Sequence, residues 1–186
     1  MIPHMELVEV INGAKNLGRT GWSQRGVPAA LAETVSQHSF EAAILAHFIS
    51  SKLASKGVTV NPDRAATIAL FHDLAESLVG DLPRWSSDRV ADKENMEREA
   101  FKEIGYGVEI FDEYAEGITL EAKVAKLADM LSTVIQSLRY ESMGFKVSSI
   151  RASYWGKVQE MLKTHPFNSV KAEVDEILKP YKLNLE

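Results

Sequence analysis

Ala65-Ala66-Thr67-Ile68-Ala69-Leu70-Phe71-His72-Asp73-Leu74-Ala75-Glu76-Ser77-Leu78-Val79 is the stretch that sets the fold class. Its apolar residues lie all round a helix of 3.6 residues per turn, not along one stripe, which marks a helix buried on every side. Three ionisable residues nevertheless sit inside it. An unpaired charge in such a setting costs several kcal/mol, on the scale of a whole domain's stability, so His72, Asp73 and Glu76 need partners. His72 and Glu76 are four apart and share a face, and Asp73 lies about a quarter-turn round. Two explanations fit: a core histidine hydrogen-bonded to a neighbouring carboxylate, or part of a divalent-cation site whose remaining ligands come from elsewhere.

Outward from this segment, helical periodicity continues and no run of alternating β-branched residues appears. Asn61 followed by Pro62 opens the same helix, and Gly80-Asp81-Leu82-Pro83 ends it. Upstream, Met5 to Leu17 reads as an amphipathic helix, and three glycines and a proline make Gly18 to Pro28 a loop. A long helix from Ala29 to Lys56 is expected, with Gly57 as its cap. Downstream, helices are expected over Asp88 to Ile104, Val108 to Glu116, Thr119 to Met143, Ser149 to Lys163 and Asn168 to Leu178. The predicted fold is all-α: one domain over residues 1–186, a helical bundle or orthogonal array with no linker or internal repeat.

With 186 residues, 45% of them hydrophobic and 25% charged, the chain suits one compact core. No run approaches the ~20 apolar residues of a membrane span, and Glu6 and Glu9 interrupt the start where a secretory signal would lie. A cytoplasmic protein without a membrane partner is expected. The absence of cysteine excludes disulfides and thiolate metal sites, so His, Asp and Glu must supply any ligands. A net charge of −5 argues against coating a nucleic-acid polymer, although a cation and one arginine can still attract a small phosphate ester.

Among five histidines, His38 shares an apolar face with Leu31, Ala42, Leu45 and Ile49 of the expected 29–56 helix. It can be a satisfied core residue or a ligand completing the His72-Asp73 pair. Asp129 points away from the stripe of Leu120, Val124, Leu127, Leu131, Ile135 and Leu138, towards Ala122, Ala125 and Ser132. Periodicity alone favours a solvated aspartate there, but the small neighbours would let another helix approach closely.

A histidine, a distant His-Asp doublet and a later aspartate resemble the metal-binding signature of HD-domain phosphohydrolases. Five segments carry the resemblance in order over about Leu17 to Glu141: Arg19 to Trp22, Glu33 to His38, His72 to Glu76, Gly80 to Pro83 and Glu121 to Asp129. Together they are similar to the YfbR-like 5′-deoxynucleotidase branch. The resemblance implies a helical fold, often homodimeric, with the helices near 149–178 packed on the catalytic part. It implies one divalent metal ion, commonly manganese or cobalt, held by His38, His72, Asp73 and Asp129, and nucleoside monophosphates as substrates. Two positions depart from the pattern: Ala115 stands where an acid is frequent in Glu-Tyr-Glu, and Gln37 where an acid often precedes the first histidine.

Within that frame Glu76 is the expected group to orient the attacking water or take its proton. Arg19 is expected to grip the phosphate with its planar fork, where the alternative is a solvated surface arginine. Trp22 is expected against the sugar or base, or else as a hydrophobic anchor. Asp81 either protonates the leaving oxygen or positions Arg19, the alternative being a turn residue. A phosphohydrolase of another nucleotide, or a non-catalytic metal or nucleotide sensor on the same fold, are the competing readings. Ser77 after Glu76 departs from the His-Asp-x-x-Glu-Asp of alarmone hydrolases, and the chain is short for a triphosphohydrolase.

Overall fold

The computed structural model describes residues 6–184, so His4 and the expected helix start at Met5 lie outside it. Eleven α-helices follow one another among these residues: α1 (Leu7–Asn16), α2 (Thr20–Ser23), α3 (Val35–Ser55), α4 (Pro62–Phe71), α5 (Glu76–Val79), α6 (Arg84–Ser87), α7 (Lys93–Ile104), α8 (Val108–Glu116), α9 (Leu120–Ser142), α10 (Ser148–Met161) and α11 (Lys171–Leu178). Two 3₁₀ turns, Phe167–Val170 and Lys179–Asn184, flank α11. No strand occurs among the described residues; a single antiparallel bridge joins Gly18 to Thr34.

Helices α3, α4 and α9 form the centre. Ala42 and Ala46 of α3, Ala65 and Ala69 of α4, and Ala122, Ala125 and Ala128 of α9 are all buried. Such small side chains let the three axes approach closely, while Ile49, Leu53, Ile68, Leu127, Leu131 and Leu138 fill the space between them. Each of those larger side chains contributes about 1.5–3 kcal/mol through burial. Helix α10 covers α9 with Val158, joined by Leu162 just past its end, and α11 closes the far end with Val174 and Leu178. Helix α8 lies against α4, tied there by Arg64 Nε donating to Glu113 Oε2 at 2.8 Å.

Two expected helices change shape. The helix expected from Ala29 begins only at Val35, where Thr34 and Gln37 form a reciprocal cap. Residues 29–32 form a turn on Pro28 O, and the next two are held extended: Val35 N–H donates to Leu17 O at 2.9 Å and Arg19 N–H to Glu33 O at 2.8 Å. Leu31 therefore lies outside the helix and is exposed, not on the face of His38. The helix expected from 61 to 79 is interrupted. From Phe71 to Ala75 the backbone tightens into i→i+3 bonds, among them Leu74 N–H to Phe71 O and Glu76 N–H to Asp73 O, both 3.0 Å. The imidazole explains the change: His72 Nδ1 bonds Ala69 O at 2.7 Å, drawing on a carbonyl of the last turn of α4. Nor is α4 buried all round, since Leu70 is half exposed. Gly80, at φ +80°, then turns the chain out of α5 in a conformation other residues rarely adopt.

Candidate metal centre and adjoining cleft

His38 comes from the first turn of α3, His72 and Asp73 from the tightened turn after α4, and Asp129 from the middle of α9. Close packing of the three helices brings their side chains to one point. His38 Nε2 is 3.0 Å from Asp129 Oδ1 and 3.8 Å from Asp73 Oδ2. His72 Nε2 is 3.0 Å from Asp73 Oδ2 and 3.7 Å from Asp129 Oδ1. The imidazoles meet edge-to-face with centroids 5.3 Å apart. Both histidines are buried, whereas the two carboxylates keep a partly open side.

Each ligand atom is aimed by a partner behind it. The Nδ1 of His72 is engaged by Ala69 O, and that of His38 by Ser132 Oγ at 3.2 Å, so both Nε2 atoms face the centre. Ser132 in turn donates to Glu41 at 3.1 Å, and Arg139 grips Glu41 through Nη1 at 3.0 Å and Nη2 at 2.5 Å. Tyr114 OH donates to Asp129 Oδ2 at 2.9 Å.

The charges are strongly interdependent. Burial opposes ionisation of both aspartates, yet the neighbouring imidazoles outweigh it and hold Asp73 and Asp129 below the usual carboxylate range. Burial likewise opposes charge on His72, and Asp73 and Asp129 overcome it, raising His72 well above an ordinary imidazole. His72 Nε2 is buried and makes no aligned hydrogen bond to any described residue. An orphaned nitrogen facing two carboxylates and a second imidazole fits a borderline divalent cation, and His38, His72 and Asp73 have ligand atoms close enough to hold one.

The centre opens into a cleft of about 430 Å³. Glu76, buried at the start of α5, faces it with Oε2 unpartnered among the described residues. Burial first, then the charges of Asp73 and Asp81, push its carboxyl up to about 9. Arg19 lines the cleft opposite, its Nη1 enclosed and without a hydrogen-bond partner among the described residues. Burial works against its charge, but Asp73, Glu33, Asp129 and Glu76 surround it and keep it firmly protonated. Asp81 accepts a short hydrogen bond from Thr20 N–H, and its carbonyl accepts from Thr20 Oγ1 at 3.0 Å, fixing the turn that follows Arg19. Trp22 is buried: its Nε1 donates to Glu33 Oε2 at 3.1 Å and its ring meets Tyr140 edge-on at 5.2 Å. Only part of its surface reaches a neighbouring cavity.

Several residues of this region escape sequence reasoning. Glu33, buried and bonded to Trp22, is one; its place at the head of the Glu33-to-His38 segment was the available signal. Tyr114 reaches Asp129 from α8, a contact that no local periodicity reveals. Lys93 and Glu97 form a 2.9 Å ion pair on α7 that lines the cleft, within a segment whose sequence indicated only a charged helix. Gln37 bonds the backbone at Thr34 as a helix cap, and Ala115 lines the cleft without adding an acid.

A chain of helices that converges two histidines, a neighbouring aspartate and a later aspartate on one buried point defines a class. Residues 11–166 match the family model described as the HD domain, and the chain belongs to that hydrolase family. Its relatives include the 5′-deoxynucleotidase HDDC2 of Dictyostelium discoideum, 32% identical over 152 residues that cover 76% of this chain and 79% of that protein. The 5′-deoxynucleotidase HDDC2 of Homo sapiens is 29% identical over 159 residues, 81% of this chain and 74% of its own. Among solved structures, a conserved hypothetical protein from Pyrococcus furiosus superposes with a TM-score of 0.78 at 31% identity, covering 92% of this chain and 99% of its own. The PH0347 protein from Pyrococcus horikoshii gives 0.79 at 26% identity, over 91% and 95%. No helix among the described residues is long and apolar enough to cross a membrane.

Proposed function

We propose that this protein is a metal-dependent phosphomonoesterase that releases the 5′-phosphate of deoxynucleoside monophosphates. The observation that carries the reading is a single cleft lined by His72, Asp73 and Asp129, which meet His38 behind them, together with Arg19 and Glu76. The relatives named as 5′-deoxynucleotidases support the substrate class.

His38, His72, Asp73 and Asp129 would hold one divalent cation, manganese or cobalt among the candidates, which supplies Lewis acidity and lowers the pKa of water. Glu76, at the start of α5 beside the ligand cluster, orients the attacking water and, in its ionised form, takes its proton. Arg19 donates from its guanidinium to a phosphate oxygen and balances the charge that builds on the phosphoryl group. As water adds at phosphorus, the bond to O5′ breaks and O5′ takes up a proton. Asp81 holds Thr20, and so Arg19, in place; the alternative role is donating the proton to O5′. Trp22 walls the nucleoside side and anchors Glu33. The same reading includes a homodimer that acts in the cytoplasm.

The test is phosphate release from a panel of nucleoside mono-, di- and triphosphates, using chelator-stripped protein resupplied with manganese, cobalt or magnesium. Release from deoxynucleoside monophosphates that needs metal and disappears in His72→Ala is the expected result. Turnover of di- or triphosphates in preference would move the substrate elsewhere in the family, and no release from any of them would sink the proposal.

A further inference from the structure

Helix α7 turns a charged pair inward. Lys93, Glu97, Ala100 and Phe101 follow the i, i+4, i+7, i+8 spacing of one helix face. Ala100 and Phe101 on that face are buried, packed with Ala75 and Phe111. The face therefore begins with two charged residues where apolar ones would extend the packing. Lys93 and Glu97 line the metal cleft instead, joined Nζ to Oε1 at 2.9 Å, with side chains 31% and 12% exposed. An i, i+4 pair of this kind ordinarily lies in water and contributes little; here it is turned into a cavity and its glutamate is mostly enclosed. Lys93 is also the first residue of α7, the end at which the helix dipole disfavours a cation. Packing and helix electrostatics both argue for another residue at this position, so the ammonium is explained by what it faces.

Among the described residues, seven carboxylates and three lysine or arginine side chains line the cleft. One divalent ion leaves that balance negative, and a phosphate dianion entering it needs a cation with donors to spare. Arg19 is already surrounded by four carboxylates, and Lys157 lies with Nζ 5.8 Å from the centre of the Tyr154 ring. An ammonium carries three N–H donors, and Glu97 takes one of those on Lys93. Burial opposes the charge of Lys93, but Glu97, then Asp73 and Glu76, hold its proton in place. Glu97 itself lies above the usual carboxylate range, because burial outweighs the pull of its one partner.

We propose that Lys93 is a second phosphate-binding cation: its ammonium reaches the substrate's phosphate from the start of α7, Arg19 reaches it from the start of α2, and Glu97 is the positioning residue that aims Lys93. The proposal rests on the phosphomonoesterase reading and deepens it, because the phosphoryl group is then held by two cations from separate elements as well as by the metal ion.

Two measurements on manganese-loaded protein test it: calorimetric binding of inorganic phosphate, and KM and kcat for a deoxynucleoside 5′-monophosphate. Lys93→Met, which removes the charge but keeps a long side chain, should weaken phosphate binding and raise KM about 10–100-fold, the loss of one charge-assisted hydrogen bond. Its kcat should fall by less, and its manganese affinity should stay within twofold of wild type. Lys93→Arg should recover part of the loss, and Glu97→Gln should show a smaller loss of the same kind. Phosphate binding within twofold of wild type in Lys93→Met overturns the assignment. A parallel loss of manganese binding does so too, since the pair would then support the metal centre and not the substrate. Absence of phosphate binding to wild type at millimolar concentration is equally fatal to it. Phosphate binding that depends on Lys93 in a protein that hydrolyses no nucleotide would sustain the contact and defeat the nucleotidase reading.

Discussion

Ser132→Ala should weaken metal binding without touching a ligand. Ser132 is fully buried on α9 and stands between His38 Nδ1, at 3.2 Å, and Glu41, at 3.1 Å. Loss of its hydroxyl leaves Glu41 still gripped by Arg139, but takes away the partner that fixes the tautomer and tilt of His38. Partners behind a ligating histidine are worth about 10–100-fold in metal affinity. Here the contact is neutral and not short, so the lower end applies: about tenfold, or about 1.4 kcal/mol. The bare protein should lose about 1 kcal/mol for the stranded Nδ1–H, a fall in Tm of about 2–4 °C in a chain of this length. Calorimetric titration of manganese into chelator-stripped wild type and variant reads the first quantity, and thermal unfolding in chelator reads the second. An affinity within twofold of wild type would refute the idea that the Arg139–Glu41–Ser132 chain aims His38.

Glu76→Gln should lower kcat for phosphate release by about 10²–10⁴-fold while manganese affinity stays close to wild type; equal rates in the two proteins would remove Glu76 from the proton transfer. Tyr140→Phe deletes a hydroxyl that accepts from Glu33 N–H and donates to Leu31 O, both at 2.8 Å. It should cost about 1–3 kcal/mol, and an unchanged Tm in a thermal melt would show the two bonds to be idle. Light scattering should give about twice the 20.6 kDa chain mass if the homodimer is right; the chain mass itself would rule the homodimer out.

The all-α class was legible because periodicity and punctuation agree: Asn61-Pro62, Thr119 and Gly57 mark helix ends that the structure keeps to within a residue or two. Helix α3 starts six residues late because the backbone of Leu17 and Arg19 captures residues 33–35, a pairing between segments that no window on either can show. The break after Phe71 has the same origin on a smaller scale, since one imidazole engaging one carbonyl tightens a whole turn. Asp129 illustrates the limit most clearly. Its own helix presents it on a small-residue face that reads as solvent, and only the approach of α3, α4 and α8 surrounds it with His38, His72 and Tyr114. The sequence places ionisable groups where they need partners; tertiary packing decides which partners arrive.

Residues 84–106 run from the turn after Asp81 to α8; Ala100 and Phe101 pack them against α5 and α8, and Trp85, Lys93 and Glu97 line the two cavities. None of the four converging metal-type ligands lies on this excursion. The chain thereby separates two kinds of change. Substitution, lengthening or outright exchange of the excursion remodels what is admitted to the cleft, while the α3–α4–α9 core that draws the histidines and aspartates together is left as it was. A transplant of this single stretch from one relative into another would move substrate preference with it and leave the reaction behind.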